Sequence, residues 1–385
     1  MERKRILILG ATGSIGQQTL DVIGNYPNQL QVAGLAANSN WELLARQAEQ
    51  FQVEAAALVN EEAARQLRDA APRLKIYSGA EGLQEIVREL NPDLVVAAIS
   101  GLAGLPPIMA ALELRCDVAL ANKEPLVAAG QLVTTAANRA GVRLLPIDSE
   151  ISAVFQCLQG EKIEDVEKVL LTASGGPFAN YTKAQLSEVT AEQALHHPTW
   201  QMGPKVTIDS ATLMNKGFEI FEIKWMFGLE FEQIEVVVHH QSIVHSLVQL
   251  RDGSVLAQLG RPDMRLPIQY ALFYPERMAN QLGRLDLAEV GSLTFAAPDP
   301  ERFPCLRLAQ EAGRSGQSYP TVLNAADEVA VAWFLLGKIG FMDIPRLIEQ
   351  TLEEHEPFSV NNLSDATAAD QWTRDFLGQT AADRR

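Results

Sequence analysis

Short apolar runs alternate with amphipathic stretches through the first part of the chain. "RILILG" (Arg5–Gly10) leads into a helical pattern over about Ser14–Asn25, and "LQVAGLAA" (Leu30–Ala37) into another over about Trp41–Phe51. "AAALV", "LVVAAIS", "DVALA" and "VRLLPI" continue the series. Strand-like runs separated by helices predict βαβ units and a parallel sheet. From Glu167 the texture changes. "EKVLLTAS", "IEVVVHHQSIVHSLVQL" and "SVLAQLG" predict longer strands in an antiparallel or mixed sheet. A connection bearing Pro and Gly follows over roughly 275–304. The tail from Cys305 is helical in pattern, most clearly in "VLNAADEVAVAWFLLGKIGF". There is no internal repeat and no low-complexity tract. The predicted class is α/β, with an N-terminal parallel sheet at 1–147, a mixed α+β central domain at 148–275, a linker at 276–304 and a helical domain at 305–385.

Residues Leu144–Glu150 read "LLPIDSE". On an extended backbone Asp148 and Glu150 point to one side, so their carboxylates converge. Close anions in a partly buried place need a proton or a cation. The alternative is a strand end turning into solvent, with Asp or Ser capping the next helix.

"ILILGATGSIGQQTLDVI" sets Gly10, Gly13 and Gly16 between a predicted strand and helix, where backbone N–H groups can approach a pyrophosphate. An NAD site usually has an acidic residue at the end of the second strand. Here that place reads "GLAANSNWE": Asn38, Ser39 and Asn40 are neutral and no acid precedes Glu42, which favours NADP. "LANKEPL" ends another strand with Asn122, Lys123 and Glu124, so Lys123 either faces the nicotinamide site or lies in a solvated loop.

In "HHPTWQMGPKVTIDSATLMNKGFEIFEIKWMFG" one helix is predicted from about Ser210 to Phe227, with Asn215, Lys216 and Glu219 near one side. Ser, Asn and Lys donors suit a phosphate. Asp148, Glu150 and Glu219 would make an all-oxygen site for Mg²⁺ or Mn²⁺. Ser174 and the glycine pair of "LTASGGPF" offer another anion-binding strand end. Trp200 is either a lid that excludes water or a core anchor.

Composition narrows the classes. Hydrophobic residues make up 47% and charged residues 21% of 385, as in an ordinary globular protein long enough for two or three domains. A formal net charge of −16 argues against a nucleic-acid surface, but a local basic pocket for a phosphorylated small molecule remains compatible with it. Cys116, Cys157 and Cys305 lack disulfide or zinc spacing, which fits a reducing compartment. Ser100, Gly101, Gly104, Pro106 and Pro107 interrupt the uncharged Leu94–Leu112 stretch, so no membrane span is expected. The early strand leaves no room for a signal peptide, and a cytoplasmic location is expected.

The chain resembles the 1-deoxy-D-xylulose 5-phosphate reductoisomerase family from end to end. The resemblance is carried by "GATGSIG", "LANKE", "DSE", "SGGPF", "MGPKVTIDSATLMNKGFE", "HSLVQLRDGSVLAQLGRPDMRLPIQYALFYPER" and the C-terminal "NAADEVAVAWFLLGKIGF". It implies an NADPH-binding Rossmann domain, a catalytic domain and a helical domain in a homodimer. The implied reaction is skeletal rearrangement of 1-deoxy-D-xylulose 5-phosphate and reduction to 2-C-methyl-D-erythritol 4-phosphate. The resemblance makes Asp148, Glu150 and Glu219 the metal ligands, acting with Lys123 in catalysis. It makes Lys123, Ser149, Glu150, Ser174, His197, Trp200, Ser210, Asn215, Lys216 and Glu219 substrate contacts. Thr12, Gly13, Ser14, Ile15, Asn122, Glu124 and Gly203 match cofactor contacts, Asn38 and Asn40 lie in the loop of the 2′-phosphate, and His197–Gly203 forms a flap. The chain departs from the family pattern at Ile151, where His is common, at Pro125, where Ser is usual, and at His240, where Pro is common. Another NADP oxidoreductase acting on an aldehyde would share the first half without the carboxylates and phosphate donors. A non-catalytic NADP-binding regulator would show decayed catalytic positions.

Overall fold

A computed structural model describes residues 3–383. Seven strands form one parallel sheet: β1 Lys4–Leu9, β2 Leu30–Ala37, β3 Ala55–Leu58, β4 Lys75–Ser78, β5 Leu94–Ala97, β6 Asp117–Leu120 and β7 Leu144–Pro146. Their order is β4-β3-β2-β1-β5-β6-β7. Helices cover a parallel sheet on both faces, so its strands read as unbroken apolar runs. Ile6, Leu7, Ile8, Val95, Val96, Val118, Ala119 and Leu120 are accordingly fully buried. β4, "KIYS", went unpredicted: it is a short edge strand with no fully buried residue. The strand order reverses at β1 and β5, and the crevice outside the carboxyl ends of such strands is where open α/β sheets bind ligands.

A second sheet has the order β11-β10-β8-β9, with β8 Val166–Ala173, β9 Ile234–Val238, β10 Val244–Leu250 and β11 Val255–Leu259. β8 and β9 are parallel and the other pairs antiparallel, so the sheet is mixed as expected. The long run from Ile234 is two strands. A turn through His239–Ile243 separates them, with Ser242 left-handed at φ 50°. Helices Pro304–Ser315, Tyr319–Leu335, Asp343–Glu353 and Leu363–Asp383 follow. Among the described residues no helix is long and apolar enough to cross a membrane.

Packing divides the chain into two compact units, both discontinuous. The first holds the residues through Pro125, Val133–Ser152 and Asp263–Leu282, and the second holds Leu126–Leu132, Ala153–Pro262 and the chain from Gly283. The boundaries expected at 147, 275 and 304 cut across this packing. The helix Arg265–Phe273 belongs to the first unit, where Lys4 Nζ donates to Leu272 O at 3.0 Å and the Tyr26 and Phe273 rings stand 4.8 Å apart.

Within the second unit, helix Met214–Phe227 packs closely on helix Pro304–Ser315 because position 217 is glycine. A Cβ there would stand 2.4 Å from Ala309 Cβ. Alanine would gain up to about 1 kcal/mol of helix propensity, but overpacking against a backbone-fixed methyl costs about 1–3 kcal/mol. Gly217→Ala is expected to lower the denaturation midpoint, and adding Ala309→Gly to restore much of the loss.

Candidate active site

The loop after β1 is shaped by two of its three glycines. Gly10 has φ +93°, and a Cβ there would stand 2.3 Å from Ala98 O; a Cβ on Gly16 would stand 2.3 Å from Gly10 O. Gly13 has an ordinary φ of −78° and sits at the N-cap of helix Ser14–Gly24. That helix begins with no side-chain cap and no acid in its first turn, so its leading N–H groups are suited to an anion. Thr12 and Ile15 are half-buried, while Gly13 and Ser14 are exposed. Gln47 Nε2 holds the loop by donating to Ala11 O at 3.0 Å, a role the sequence did not reveal. After β2, Asn38, Ser39 and Asn40 are exposed; Asn40 Oδ1 accepts from Leu43 N at 3.2 Å, capping the next helix.

At the end of β6, Asn122, Lys123 and Glu124 are all buried, which rules out the solvated-loop reading. Asn122 Nδ2 donates to Gly101 O at 3.4 Å, and its Oδ1 is buried without a partner, an acceptor available to an amide. Lys123 Nζ lies 2.5 Å from Asp148 Oδ2. The convergence of Asp148 and Glu150 does not come from an extended strand. β7 ends at Pro146, and Ser149 opens a helix to Cys157. Asp148 stands just before it, its Oδ1 accepting from Glu150 N at 3.2 Å and its carbonyl from Ser152 N at 2.8 Å. Capping and convergence coexist, because a carboxylate oxygen of Asp148 and one of Glu150 lie within 4.8 Å. Ser149 Oγ donates to Glu150 Oε2 at 2.5 Å. Ile151, where the family often has His, is fully buried, and Pro125 sits in the first turn of helix Glu124–Ala140.

The second unit holds the anion-binding candidates. Ser174 follows β8 and precedes Gly175 and Gly176, at φ +83° and +66°. A Cβ on Gly176 would stand 2.7 Å from Ser210 O, so glycine lets this turn approach the helix that carries Ser210. Ser174 Oγ accepts from Gly176 N at 3.2 Å and lies 2.9 Å from His197 Nε2. The backbone N–H groups of Thr199 and Trp200 both donate to His197 Nδ1, at 3.1 and 3.0 Å. Nδ1 therefore carries no hydrogen, and Nε2–H donates to Ser174 Oγ. Burial, with Lys216 nearby, lowers the His197 pKa to about 4, so the ring is neutral at pH 7. His240, in place of the common proline, donates from Nδ1 to Ser174 O at 2.7 Å. Trp200 is half-buried with its ring 6.2 Å from that of His245, which excludes a core anchor.

The single helix expected over Ser210–Phe227 is two, Pro204–Thr212 and Met214–Phe227, broken at Leu213 with φ +62°. Thr212 stabilises the break, its Oγ1 accepting from Met214 N at 3.3 Å. Apolar periodicity continues through Leu213 and conceals the turn. Ser210 therefore lies on the first helix, while Asn215, Lys216 and Glu219 share a face of the second. Asn215 Nδ2 and Lys216 Nζ each donate to a different oxygen of the fully buried Glu219, both at 2.6 Å. The sequence reading also missed Lys205, 2.5 Å from Asp209 and 2.7 Å from Asp327; its only signal was the Lys–Asp pair four apart in "KVTID". Elsewhere in this unit a cavity of about 290 Å³, lined by Gly130, Trp225, Phe231 and Gly313 among others, holds none of these candidates.

Three family models match: 1-deoxy-D-xylulose 5-phosphate reductoisomerase over residues 6–130, its C-terminal domain over 144–227, and the DXP reductoisomerase C-terminal domain over 259–376. The 1-deoxy-D-xylulose 5-phosphate reductoisomerase of Moorella thermoacetica is 52% identical over 381 residues, spanning 98% of each chain. That of Chloroherpeton thalassium is 50% identical over 97% of each. The Zymomonas mobilis enzyme, solved in complex with NADPH, superposes with a TM-score of 0.91 at 42% identity over 99% of each chain. A reductoisomerase solved with NADPH, fosmidomycin and magnesium gives 0.94 at 39% over 98% of each. Similarity of this degree along nearly the whole chain, together with the glycine loop, the buried Lys123–Asp148 pair and the Ser174–His197 turn, leads to one conclusion: the chain belongs to the 1-deoxy-D-xylulose 5-phosphate reductoisomerase family.

Proposed function

We propose that this chain rearranges the carbon skeleton of 1-deoxy-D-xylulose 5-phosphate and reduces the product to 2-C-methyl-D-erythritol 4-phosphate, consuming NADPH and a proton. The reading rests most on the buried Lys123–Asp148 pair, with the Glu150 carboxylate beside it. Asp148, Glu150 and Glu219 are the residues to hold a divalent cation, Mg²⁺ or Mn²⁺. Their donors are all carboxylate oxygens, which fits a hard ion. When bound, that ion supplies a Lewis acid for the substrate's carbonyl and hydroxyl oxygens, and NADPH supplies the hydride. Thr12, Gly13, Ser14 and Ile15 receive the pyrophosphate, Asn38 and Asn40 the 2′-phosphate, and Asn122, Glu124 and Gly203 the remainder of the cofactor.

The chain's own groups have separable tasks. Lys123 orients Asp148 and places a positive charge where negative charge develops on substrate oxygen. Ser149 fixes Glu150 through its hydroxyl. Ser174 has both lone pairs occupied by Gly176 N–H and His197 Nε2–H, so its own hydrogen is the donor it offers a phosphate. His197, Ser210, Asn215 and Lys216 complete the phosphate contacts. Because Lys216 and Asn215 also hold Glu219, anchoring the phosphate and orienting a metal ligand are coupled. Binding energy from the phosphate holds the reacting carbons in place. Trp200, on the 197–203 segment, covers the substrate and excludes water. The protein works as a cytoplasmic homodimer; the three free thiols and the exposed Val255 on edge strand β11 support that reading. Functionally, the nucleotide-binding, catalytic and C-terminal helical parts follow residues 1–147, 148–275 and 305–385.

The test is NADPH oxidation with 1-deoxy-D-xylulose 5-phosphate, with and without Mg²⁺ or Mn²⁺, and NADH as control. Metal-dependent oxidation that prefers NADPH is expected; folded protein that binds NADPH yet stays inactive with both metals would overturn the assignment. Glu150→Gln is expected to lower kcat at least ~100-fold with NADPH affinity intact, and near-normal turnover would remove Glu150 from the metal set. Lys216→Ala should raise KM for the substrate well above any change in KM for NADPH; equal changes would deny it the phosphate. The depressed His197 pKa means that its neutral ring persists as pH falls through 6, and that protonation sets in only as pH approaches about 4. Substrate KM therefore shows no inflection from His197 between about pH 6 and 8, and an inflection lost in His197→Gln would contradict this.

A further inference from the structure

Lys205 and Asp209 lie one turn apart on helix Pro204–Thr212, and Asp327 reaches them from helix Tyr319–Leu335. Lys205 Nζ donates to Asp209 Oδ2 at 2.5 Å and stands 2.7 Å from Asp327 Oδ2. Both carboxyl groups are almost wholly buried, and the Asp209 and Asp327 side chains are within hydrogen-bonding reach of each other. Asp209 Oδ1 and Asp327 Oδ1 have no other partner, and Asp327 Oδ2 meets the ammonium as an ion pair without hydrogen-bond geometry. Two uncharged groups also face the cluster. Cys305, from helix Pro304–Ser315, is a buried neutral thiol, and from helix Met214–Phe227 the Phe218 ring lies 4.5 Å from Nζ. Two carboxylates this close and this dry cannot both remain ionised at low cost.

We infer that Asp209 and Asp327 share one proton and, with Lys205, form a buried clamp that positions helix Pro204–Thr212, and thereby Ser210, for the substrate phosphate. The proton sits mainly on Asp209, whose O–H donates to the Asp327 carboxylate, while Lys205 balances the remaining negative charge. Burial and the neighbouring Asp327 raise the Asp209 pKa accordingly. The clamp ties the helix that follows the 197–203 segment to the helical domain through groups that never touch substrate, so these are positioning residues. The positioning half rests on the proposed phosphate role of Ser210; the shared proton does not.

The first experiment needs no substrate. Above the ordinary aspartate range the folded clamp keeps a proton that an unfolded aspartate has released, so stability falls as pH rises until the clamp itself deprotonates. The wild-type unfolding equilibrium constant, from denaturant titrations, should therefore climb by up to roughly tenfold more per pH unit than that of Asp209→Asn or Asp327→Asn. Equal slopes in all three proteins overturn the shared proton. The second experiment reads the positioning. Asp327→Ala should raise substrate KM about tenfold or more with NADPH KM unchanged, and Asp327→Asn, which keeps a hydrogen-bonding group of the same shape against Asp209, should restore it. If the alanine variant does not fold, Asp327→Ser takes its place. An unchanged substrate KM overturns the positioning role, whereas an inactive wild type with the proton linkage intact overturns only the reductoisomerase reading.

Discussion

Asp148 places a carboxylate oxygen 2.5 Å from the Lys123 ammonium, and both side chains are nearly withdrawn from water. Removing either charge from water costs several kcal/mol, recovered only if the partner is close and the remaining oxygens are bonded. The local structure meets both conditions. β6 delivers Lys123 at its carboxyl end, β7 stops at Pro146, and the cap of the next helix turns Asp148 Oδ1 onto Glu150 N. The same constraint recurs in the second unit. Glu219 is balanced by Lys216, and Asp209 with Asp327 by Lys205. Each buried carboxylate is thereby fixed in direction, which is what a metal ligand or a positioning group needs and a solvated carboxylate lacks.

Close backbone approach is the second constraint. Gly10 and Gly16 clear a path for the first loop, Gly176 for the turn beside Ser210, and Gly217 for the helix that carries Glu219. At each of these positions a Cβ would meet another atom within 2.7 Å. These glycines are part of site construction even though none offers a functional group. Gly13, by contrast, has ordinary backbone angles, and a Cβ there would come no nearer than 3.3 Å to Gly10 O, so the fold constrains it less tightly.

The parallel sheet was legible in the sequence because burial on both faces writes unbroken apolar runs, as in Leu94–Ala97. β4 was not, since an edge strand with Lys75 exposed lacks that signature. The break at Leu213 was hidden because a left-handed residue carrying an apolar side chain leaves the helical period intact. The site candidates were legible through residue type and family likeness, but their wiring was not. Nothing in the spacing of His197, Thr199 and Trp200 states that two backbone N–H groups fix a tautomer. Asp209 and Asp327 are separated by more than a hundred residues, so their pairing is a fact of packing alone.

A net charge of −16 opposes, at long range, a phosphorylated substrate and a phosphate-bearing cofactor. The conflict dissolves once the placement of donors is considered. The first loop offers backbone N–H groups at an uncapped helix start, which carry partial positive charge without any lysine. In the second unit a neutral His197 holds Ser174 so that its hydroxyl hydrogen points away from both of its partners. Lys216, whose ammonium is already paired with Glu219, is the charged member of the proposed donor set, and a low local dielectric strengthens its interactions. Surface acids beyond a Debye length are screened and contribute little at such a site. On the proposed reading, affinity for anions rests on a few oriented groups, and the acidic exterior governs solubility instead.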